Sequence, residues 1–526
     1  MTITLYTISI ALMIALPLVL AIALRRRYST PWWLFALGMA TFVGSQAVHL
    51  PLNNWLADLG FLAEGVAPAG TALIQNALLL GFTAGLCEEV ARAVGYWFLW
   101  RRKEVEGTRW EDGVMLGLGH GGIEAMAFGA VLTAASLSSL WALRDTDLAS
   151  LNLSSQQLAA VTLQLELLAG SPWLAFAPLL ERALALTIHV ALSLIVWRTF
   201  KRRNPFYLLL AIGLHMGYDA LLVYVAQQLE NVWLLEGIML LLTLPALFWI
   251  WYSGRRRETR PAPLVPSFGA EFSLFLLNLR KELLQQWRTK RTLVIVAVFA
   301  VFGILSPVAA RFAPEMLSMI EGAEEFADLI PTPTVADSLG QYIKNITQFG
   351  FLIAVLLGMG TVAGEKERGT TAMVLSKPLP RWAFILSKFV AQALLYVLGF
   401  AVAAGTAYLY TWFLFEETLA AGPFLFGNLL LLVWLLTYVA VTILGSALAR
   451  STGAAAALGL LGAVSLLLAG TLPRIGPLAP AGLVAWAGQL GLATEIAPNG
   501  GALATGIVLI VIFLLLAVAA FEEQEL

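Results

Sequence analysis

The chain has 526 residues, 59% of them hydrophobic and 12% charged, with a formal net charge of −1. Soluble domains carry about 25% charged residues, and the mean hydropathy here is +0.81, so an ordinary soluble enzyme and a disordered chain are both excluded. No global basic field points to nucleic acid, and the single cysteine, Cys87, excludes an internal disulfide and a Cys-based metal cage.

Apolar runs reach the roughly 20 residues a bilayer-spanning helix needs, which predicts an all-α polytopic membrane protein. Outer-membrane barrel strands would instead alternate polar and apolar over about 10 residues. The first run, near 4–24, has no positive flank before it and Arg25, Arg26 and Arg27 after it. That polarity is wrong for a cleavable signal peptide and predicts a first span with its N-terminus outside. Further spans are expected near 33–50, 70–100, 110–137, 173–197, 206–228 and 232–252. Basic clusters then fall on one side: Arg25 to Arg27; Arg101, Arg102 and Lys103; Lys201, Arg202 and Arg203; Arg255, Arg256 and Arg257. The opposite loops carry Asp58, Glu64, Asp145, Asp147 and Glu230, with Arg144 the exception, and the positive-inside rule orients these seven spans.

Residues 254–270 are rich in Arg, Pro and Gly, which is linker chemistry. An amphipathic stretch follows, with Phe272, Phe275, Leu276, Leu279 and Leu283 on one face and Arg280, Lys281, Arg288 and Lys290 as its polar complement. It reads as a helix lying on the cytoplasmic interface. Six more spans are expected near 292–311, 346–363, 383–411, 424–448, 453–472 and 502–520. About thirteen spans place the acidic tail Glu522-Glu523-Gln524-Glu525 inside a cytoplasmic (inner) membrane. The two halves do not resemble each other. The expected organisation is a fusion: a bundle over 1–255, a basic Pro-rich linker over 256–270 and a second membrane domain over 271–526.

Ionisable residues in a bilayer core cost several kcal/mol each and are functional candidates by default. The first half holds Glu88, Glu89 and Arg92 in CEEVAR, His120 and Glu124 in GLGHGGIEA, His189 in the fifth span, and His215 with Asp219 in HMGYDA. All four histidines precede residue 220. At a rise of about 1.5 Å per residue, Glu89, His120, His189 and His215 fall in one layer, roughly 13–18 Å from the cytoplasmic edge. The pairs His120/Glu124 and His215/Asp219 have i,i+4 spacing, so each shares a helix face. Gly117, Gly119, Gly121 and Gly122 let neighbouring helices come close to His120. The pattern predicts a polar, water-accessible cavity inside a helical bundle.

Carboxylates beside imidazoles suit general-base activation of water, with histidine as acid or oxyanion donor. Two or three imidazoles and a carboxylate can also hold Zn²⁺ with an open position. No H-E-x-x-H helix is present, and spacing leaves metal-dependent and metal-free hydrolysis both open. A non-hydrolytic binding cavity, an ion or proton path, or a network that only ties helices together are the competing readings. His49, near the outer end of its span, reads as interfacial, and Cys87 as packing. Glu181 and Arg182, about two helical turns outward of His189, read as an internal ion pair.

E-E-x-x-R, a later His/Glu span, H-x-x-x-S (His189, Ser193) and H-x-x-x-D (His215, Asp219) resemble the glutamic intramembrane proteases, a group that includes the CAAX-protease and bacteriocin-processing family and the PrsW-like proteases. GLGHGGIEA and the seven-span layout resemble most the YhfC subgroup of membrane peptidases. The resemblance covers about residues 1–255. It implies that Glu88 activates water, that Glu89 and Arg92 position it, and that His120 and His215 bind or polarise the scissile carbonyl. CAAX-type members carry Asn where this chain has Asp219, so Asp219 would orient His215 or be protonated.

In the second half, Gly364-Glu365-Lys366-Glu367-Arg368-Gly369-Thr370-Thr371 precedes Leu375-Ser376-Lys377-Pro378-Leu379-Pro380-Arg381 and Lys388. Solvated charge between spans is the plain reading. The pattern E-x-E-x-G-T, then L-x-x-P-x-x-R and a Lys further on, resembles the coupling region of NosY-like ABC export permeases over about residues 268–526. That resemblance implies docking on a nucleotide-binding subunit through Glu365, Glu367, Gly369, Thr370, Pro378 and Arg381, and pairing of two copies. No G-x-x-x-x-G-K-[ST] phosphate loop occurs, so ATP would be bound by a separate subunit. Few buried charges in these spans suit a peptide or lipid-like amphiphilic cargo. The reading that results is an intramembrane peptidase fused to an ABC export permease. The alternative is a permease alone, with the first bundle a substrate-binding or regulatory module.

Overall fold

The computed structural model describes residues 2–63, 68, 70–101, 109–144, 146–148, 158, 161, 162, 164–166, 170–229, 231–255, 268–318, 332–473, 475–490 and 498–524. Among them every regular element is helical and no strand occurs. Among the described residues thirteen helical segments are long and apolar enough to cross a membrane, the number expected from hydropathy and charge. Glu64, Arg102, Lys103, Asp145, Glu230, Arg256, Arg257, Glu525, most of the linker and parts of the loops at 312–345 and 474–500 lie outside the described residues.

Contacts divide the chain into two compact units, Met1–Ala134 with Asp147–Val265, and Ala135–Thr146 with Pro266–Leu526. The first holds α1 (Thr2–Tyr28), α2 (Trp32–Asp58), α3 (Gly70–Arg101), α4 (Trp110–Glu124), a π-helical segment (Ala125–Val131), the start of α5 (Leu132–Leu143), a 3₁₀ turn (Pro172–Phe176), α6 (Ala177–Arg202), α7 (Phe206–Ala226) and α8 (Val232–Arg255). Two close crossings position its polar residues. On α3, a methyl added at Gly81 would lie 2.5 Å from the Met216 carbonyl oxygen, and one at Gly85 would lie 2.8 Å from that of Ile212. On α4, a methyl at Gly119 would collide with the Phe35 carbonyl. Small residues at these points let backbones touch, which brings α3 onto α7 and α4 onto α2. The π segment begins directly after Glu124; such segments are rare and cluster at functional sites.

The second unit comprises α9 (Phe268–Arg288), α10 (Arg291–Arg311), α11 (Ala313–Ser318), α12 (Val335–Gly358), α13 (Ala363–Glu367), α14 (Thr370–Leu375), α15 (Arg381–Phe415), α16 (Ala421–Leu448), α17 (Thr452–Thr471), α18 (Ala481–Leu490) and α19 (Gly500–Glu522). The segment Ala135–Thr146 belongs with it by contact. Helix α12 starts well before the expected span at 346. Thr334 and Asp337 form a capping box, and Ser338, Leu339, Tyr342 and Ile343 are buried along one face. Alternating polar residues lower the hydropathy of that first turn and hide it from a span count. Ser446 on α16 serves the break between α12 and α13, accepting from the amides of Val362 and Ala363 at 3.0 Å each and donating to the Met359 carbonyl at 2.7 Å. It thereby pairs helix-end groups that would otherwise be orphaned.

Helix α9 is amphipathic in an inverted sense. Leu277 and Trp287 are 63% and 71% exposed, whereas Asn278, Glu282 and Gln286, one turn apart, are buried. The polar side was expected from Arg280, Lys281, Arg288 and Lys290; the polar residues that face the protein are Asn278, Glu282 and Gln286. The apolar side is left for a membrane.

Candidate active site

Glu88, Glu89 and Arg92 lie in the middle of α3, and all three are buried. A buried charge is tolerated when it is paired and hydrogen-bonded. Arg92 Nη1 donates to both oxygens of Glu89 at 2.5 Å, and Arg92 Nη2 donates to His189 Nδ1 at 3.0 Å. Glu89 Oε1 also takes a hydrogen bond from His215 Nδ1 at 2.8 Å. One guanidinium and one carboxylate thus tie α3 to α6 and α7.

Glu88 faces the other way. Its Oε1 accepts from Gln46 Nε2 at 3.2 Å, and its Oε2 lies 3.2 Å from His120 Nε2 and 4.0 Å from His215 Nε2. The tautomer of His120 follows from its other partner. Thr41 Oγ1, 2.9 Å from His120 Nδ1, donates its own hydrogen to the Gly38 carbonyl at 2.7 Å. The ring must therefore donate from Nδ1 to Thr41, which leaves the Nε2 lone pair aimed at the Glu88 carboxylate. Two lone-pair atoms in this apposition call for a proton or a metal cation between them.

Glu124, one turn beyond His120, is held by Arg182 Nη1 at 2.7 Å. Its Oε2 lies 2.5 Å from His189 Nε2 yet has no hydrogen-bond partner of acceptable geometry and is buried. Arg182 also binds Glu181. Asp219 Oδ2 lies 3.4 Å from His215 Nε2, so both nitrogens of that imidazole face carboxylates. The His120 and His189 rings are 5.2 Å apart and those of His189 and His215 5.5 Å.

The structure thus links Glu88, Glu89, Arg92, His120, Glu124, His189, His215 and Asp219 into one continuous network. Sequence reasoning missed Thr41 and Gln46, whose only signal was a polar uncharged side chain in an apolar span. It also set Arg182 aside as part of a separate pair, whereas it grips Glu124. Ser193 of the H-x-x-x-S motif turns away from His189, donating to the Gly113 carbonyl at 2.8 Å and meeting Tyr96 Oη at 2.7 Å, and so braces α3, α4 and α6. His49 contacts Asn53 and Thr83 at 3.0 and 3.3 Å.

The donors fit a metal ion. Glu88, His120 and His189 each offer an atom, and the three lie within 4.8 Å of one another. Two imidazoles and a carboxylate are a set zinc accepts while keeping an open position. Thr41 on His120 Nδ1 is the outer-shell partner that fixes ring and tautomer in such sites. The unpartnered Glu124 Oε2 beside His189 is a further acceptor turned toward the same cluster.

In the second unit, the buried Lys388 of α15 donates to Glu282 of α9 and to Glu365 of α13, each at 2.8 Å. Lys281 reaches the same two carboxylates at 2.8 and 3.1 Å. Burial alone would lower the pKa of Lys281, but Glu282 and Glu365 outweigh it and hold the ammonium above the usual lysine range. Glu367 accepts from the Thr452 amide and hydroxyl at 3.1 and 2.8 Å. Thr370 Oγ1 donates to the Glu365 carbonyl at 3.1 Å. Gly369 takes φ +70°, a left-handed turn that glycine adopts without strain. Arg381 Nη1 donates to the carbonyls of Phe521, Glu522 and Gln524 at 2.5, 2.8 and 2.8 Å, capping α19. Pro378 lies in the exposed bend between α14 and α15.

Residues 12–239 match the sequence profile of the YhfC intramembrane metalloproteases, and residues 278–526 match that of the ABC-2 family transporter proteins. The chain is 27% identical over 183 residues to the transmembrane protein YxlG of Bacillus subtilis, covering 35% of this chain and 70% of YxlG. It is 24% identical over 247 residues to the membrane protein YhfC of the same organism, covering 46% and 92%. It is also 31% identical over 187 residues to the probable ABC transporter permease protein NosY of Pseudomonas aeruginosa, covering 34% and 63%. A YhfC-like membrane protease domain is thus fused to an ABC-2 permease domain in one multi-pass membrane protein. An ABC-2 permease domain implies an ATPase partner subunit.

Proposed function

We propose that the first half, about residues 1–255, is a metal-dependent intramembrane endopeptidase and that the second, about 271–526, exports a peptide or amphiphilic cargo with a separate ATPase subunit. The observation that carries the first part is the convergence of Glu88, His120 and His189 within 4.8 Å inside an otherwise apolar bundle. Glu88 and His120 would hold a divalent ion such as Zn²⁺, their lone pairs being already opposed. By distance the third donor is His189. By hydrogen-bond polarity it is His215, because Arg92 donates to His189 Nδ1 and so places that ring's proton on Nε2. When bound, the metal would polarise the scissile carbonyl and its attacking water.

The chain's own groups supply the rest. Glu124 Oε2, 2.5 Å from His189 Nε2, is the carboxylate oxygen placed to take a proton from water. With His189 as the third donor, His215, with Glu89 at Nδ1 and Asp219 at Nε2, is the group placed to hand a proton to the leaving amine or to donate to the developing oxyanion; with His215 as the third donor, that part falls to the Nε2 proton of His189. Arg92 and Glu89 act as positioning residues. A metal-free reading, with Glu88 as general base, is favoured by the 3.2 Å contact between Glu88 and His120, which one shared proton would satisfy.

For the exporter half, Lys388 joins the interfacial helix, the coupling segment and a spanning helix at one ammonium. That supports transmission of ATPase movement through α13 into α15. Charge asymmetry supports an outside N-terminus and an inside C-terminus in the inner membrane, and two copies would enclose the transport path. Holding both activities on one chain keeps cleavage and export at high effective concentration.

The test uses purified full-length protein in lipid nanodiscs and a panel of quenched fluorescent peptides, each with one apolar segment of about 20 residues. Wild type cleaves a member of the panel, and Glu88→Gln and His120→Gln lose that cleavage while keeping the wild-type melting profile. Cleavage that survives both substitutions overturns the assignment. Export that persists with its ATPase while the panel stays intact favours the permease-only alternative.

A further inference from the structure

We propose that the cluster opens to the face of the bundle opposite its basic helix ends, so that water and the scissile segment reach it from the outer side of the membrane and cleavage follows translocation. The inference rests on the hydrolytic reading above and on the orientation given by charge. It adds to them the direction of access and the class of reaction that must supply the substrate.

Exposure changes in step with depth. The basic ends are those of α3 at Arg101, α6 at Arg202 and α8 at Arg255. Arg92, Tyr96 and Ser193 lie on that side of the imidazoles, and all three are buried. Glu88, His120, His189 and His215 form the layer itself and are buried too. One or two turns farther from the basic face, the side chains of Glu124 and Arg182 are 18% and 20% exposed, that of Asp219 33% and that of Glu181 41%. All four are ionisable, and a charge facing acyl chains is costly, so their free surface faces water. Asp219 lies about 10 Å below the α7 end at Ala226, at a rise of about 1.5 Å per residue. Its free surface therefore marks a wet recess that reaches into the membrane.

The opposite direction is closed by packing. Ser193 donates to the Gly113 carbonyl at 2.8 Å and meets Tyr96 Oη at 2.7 Å, which joins α3, α4 and α6 on the basic side of the layer. A methyl added at Gly117 would lie 2.8 Å from Val190 Cα, and one at Gly113 would lie 3.0 Å from the Leu194 side chain. Met115, Leu194 and Trp197 of the same two helices, α4 and α6, are buried. At these contacts the three helices leave no room for a file of water.

Buried polar atoms carry the path outward. Glu236, near the outer end of α8, is buried, and its Oε2 has no partner among the described residues. Glu181 and Arg182 are the charged groups that act on it electrostatically. On α2, His49 Nδ1 and Asn53 Oδ1 are also buried without partners, one and two turns outward of Gln46, which holds Glu88. Buried polar atoms of this kind are satisfied by water. They extend the polar path from Glu88 and Glu124 toward the outer helix ends, and the π segment that begins after Glu124 lies along the same stretch. A peptide bond that stays on the basic side of the membrane meets the packed side of the bundle. Translocation, by export or by insertion that carries the segment across, is the reaction that must come first.

The experiment uses the full chain in sealed membrane vesicles of both orientations, with Cys87→Ser removing the native thiol and a charged, membrane-impermeant maleimide as the probe. Arg202→Cys marks the basic face. In protein of wild-type melting profile, Asp219→Cys and Glu181→Cys are expected to react from the face opposite Arg202→Cys, and Ser193→Cys from neither. Glu181→Cys leaves the partners of every imidazole in place, so it reads the opening even if Asp219→Cys disturbs the fold. Reaction of Asp219→Cys, Glu181→Cys or Ser193→Cys from the Arg202→Cys face overturns the proposal. Wild-type protein supplies a second readout, with short, charged fluorogenic peptides that cannot cross a bilayer. Hydrolysis is expected when they are added to the outer face, and is lost in intact inverted vesicles until detergent opens them. Hydrolysis by intact inverted vesicles overturns the direction of access and keeps the peptidase reading. Labelling as expected with no hydrolysis of any peptide, detergent included, leaves the opening standing and removes the peptidase reading.

Discussion

Thr41→Val is a sharp perturbation of the candidate centre because it leaves every proposed donor residue in place. Thr41 is buried, and its oxygen accepts the Nδ1 proton of His120 at 2.9 Å. Valine keeps the shape and removes the acceptor. The His120 N–H then has no partner in a site closed to water, a loss worth about 1–3 kcal/mol. Alternatively the proton moves to Nε2, and the lone pair that faces Glu88 is gone. Either way the ring is a poorer ligand. Loss of an outer-shell partner of this kind lowers metal affinity by about 10–100-fold, or about 1.4–2.7 kcal/mol. Competition titration of Zn²⁺ against a chromogenic chelator measures it directly. Thr41→Ser retains the hydroxyl and should stay within about threefold of wild type, about 0.65 kcal/mol. Wild-type affinity in the valine variant, or equal losses in valine and serine, would refute the argument that Thr41 sets the tautomer.

Two further substitutions test the buried ion pairs. Arg92→Met leaves the Glu89 carboxylate buried with only His215 as partner and should lower stability by about 3–5 kcal/mol, read as an early thermal transition; Arg92→Met with Glu89→Gln should recover a large part of it. Lys388→Met should destabilise the second unit by less, about 1–3 kcal/mol, because Lys281 still holds Glu282 and Glu365, and should uncouple transport from ATP hydrolysis. If Lys388→Met exports normally, the coupling role assigned to that ammonium is wrong.

The sequence exposed most of the centre because ionisable residues are costly in a bilayer and so stand out. Glu89, His120, His189 and His215 were placed in one layer from helical rise alone, and Arg92–His189, Glu89–His215 and Glu88–His120 are direct contacts. The i,i+4 pair His120/Glu124 was read as one functional face. In the fold, His120 turns to Glu88 and Glu124 to Arg182 and His189, with the π segment starting immediately after Glu124. Nothing in local composition announces such a segment. Thr41 and Gln46 were hidden for a different reason. Threonine and glutamine carry little hydropathic weight, and a spanning helix tolerates a threonine whose hydroxyl bonds its own backbone, as Thr41 also does. In the second unit the start of α12 escaped a span count because it mixes polar with apolar positions, and α18 because its 10 residues are too few to cross a bilayer. The buried row Asn278, Glu282 and Gln286 was masked by the stronger apolar signal of its own helix.

The central claim is that Glu88 and His120 share a cation, and metal analysis of the purified full-length protein tests it most directly. After dialysis against trace Zn²⁺, elemental mass spectrometry should find one divalent ion per wild-type chain, and little in Glu88→Gln or His120→Gln protein of unchanged melting profile. A wild-type protein that cleaves its peptide while holding no divalent metal would contradict the claim and leave the Glu88–His120 contact to a proton.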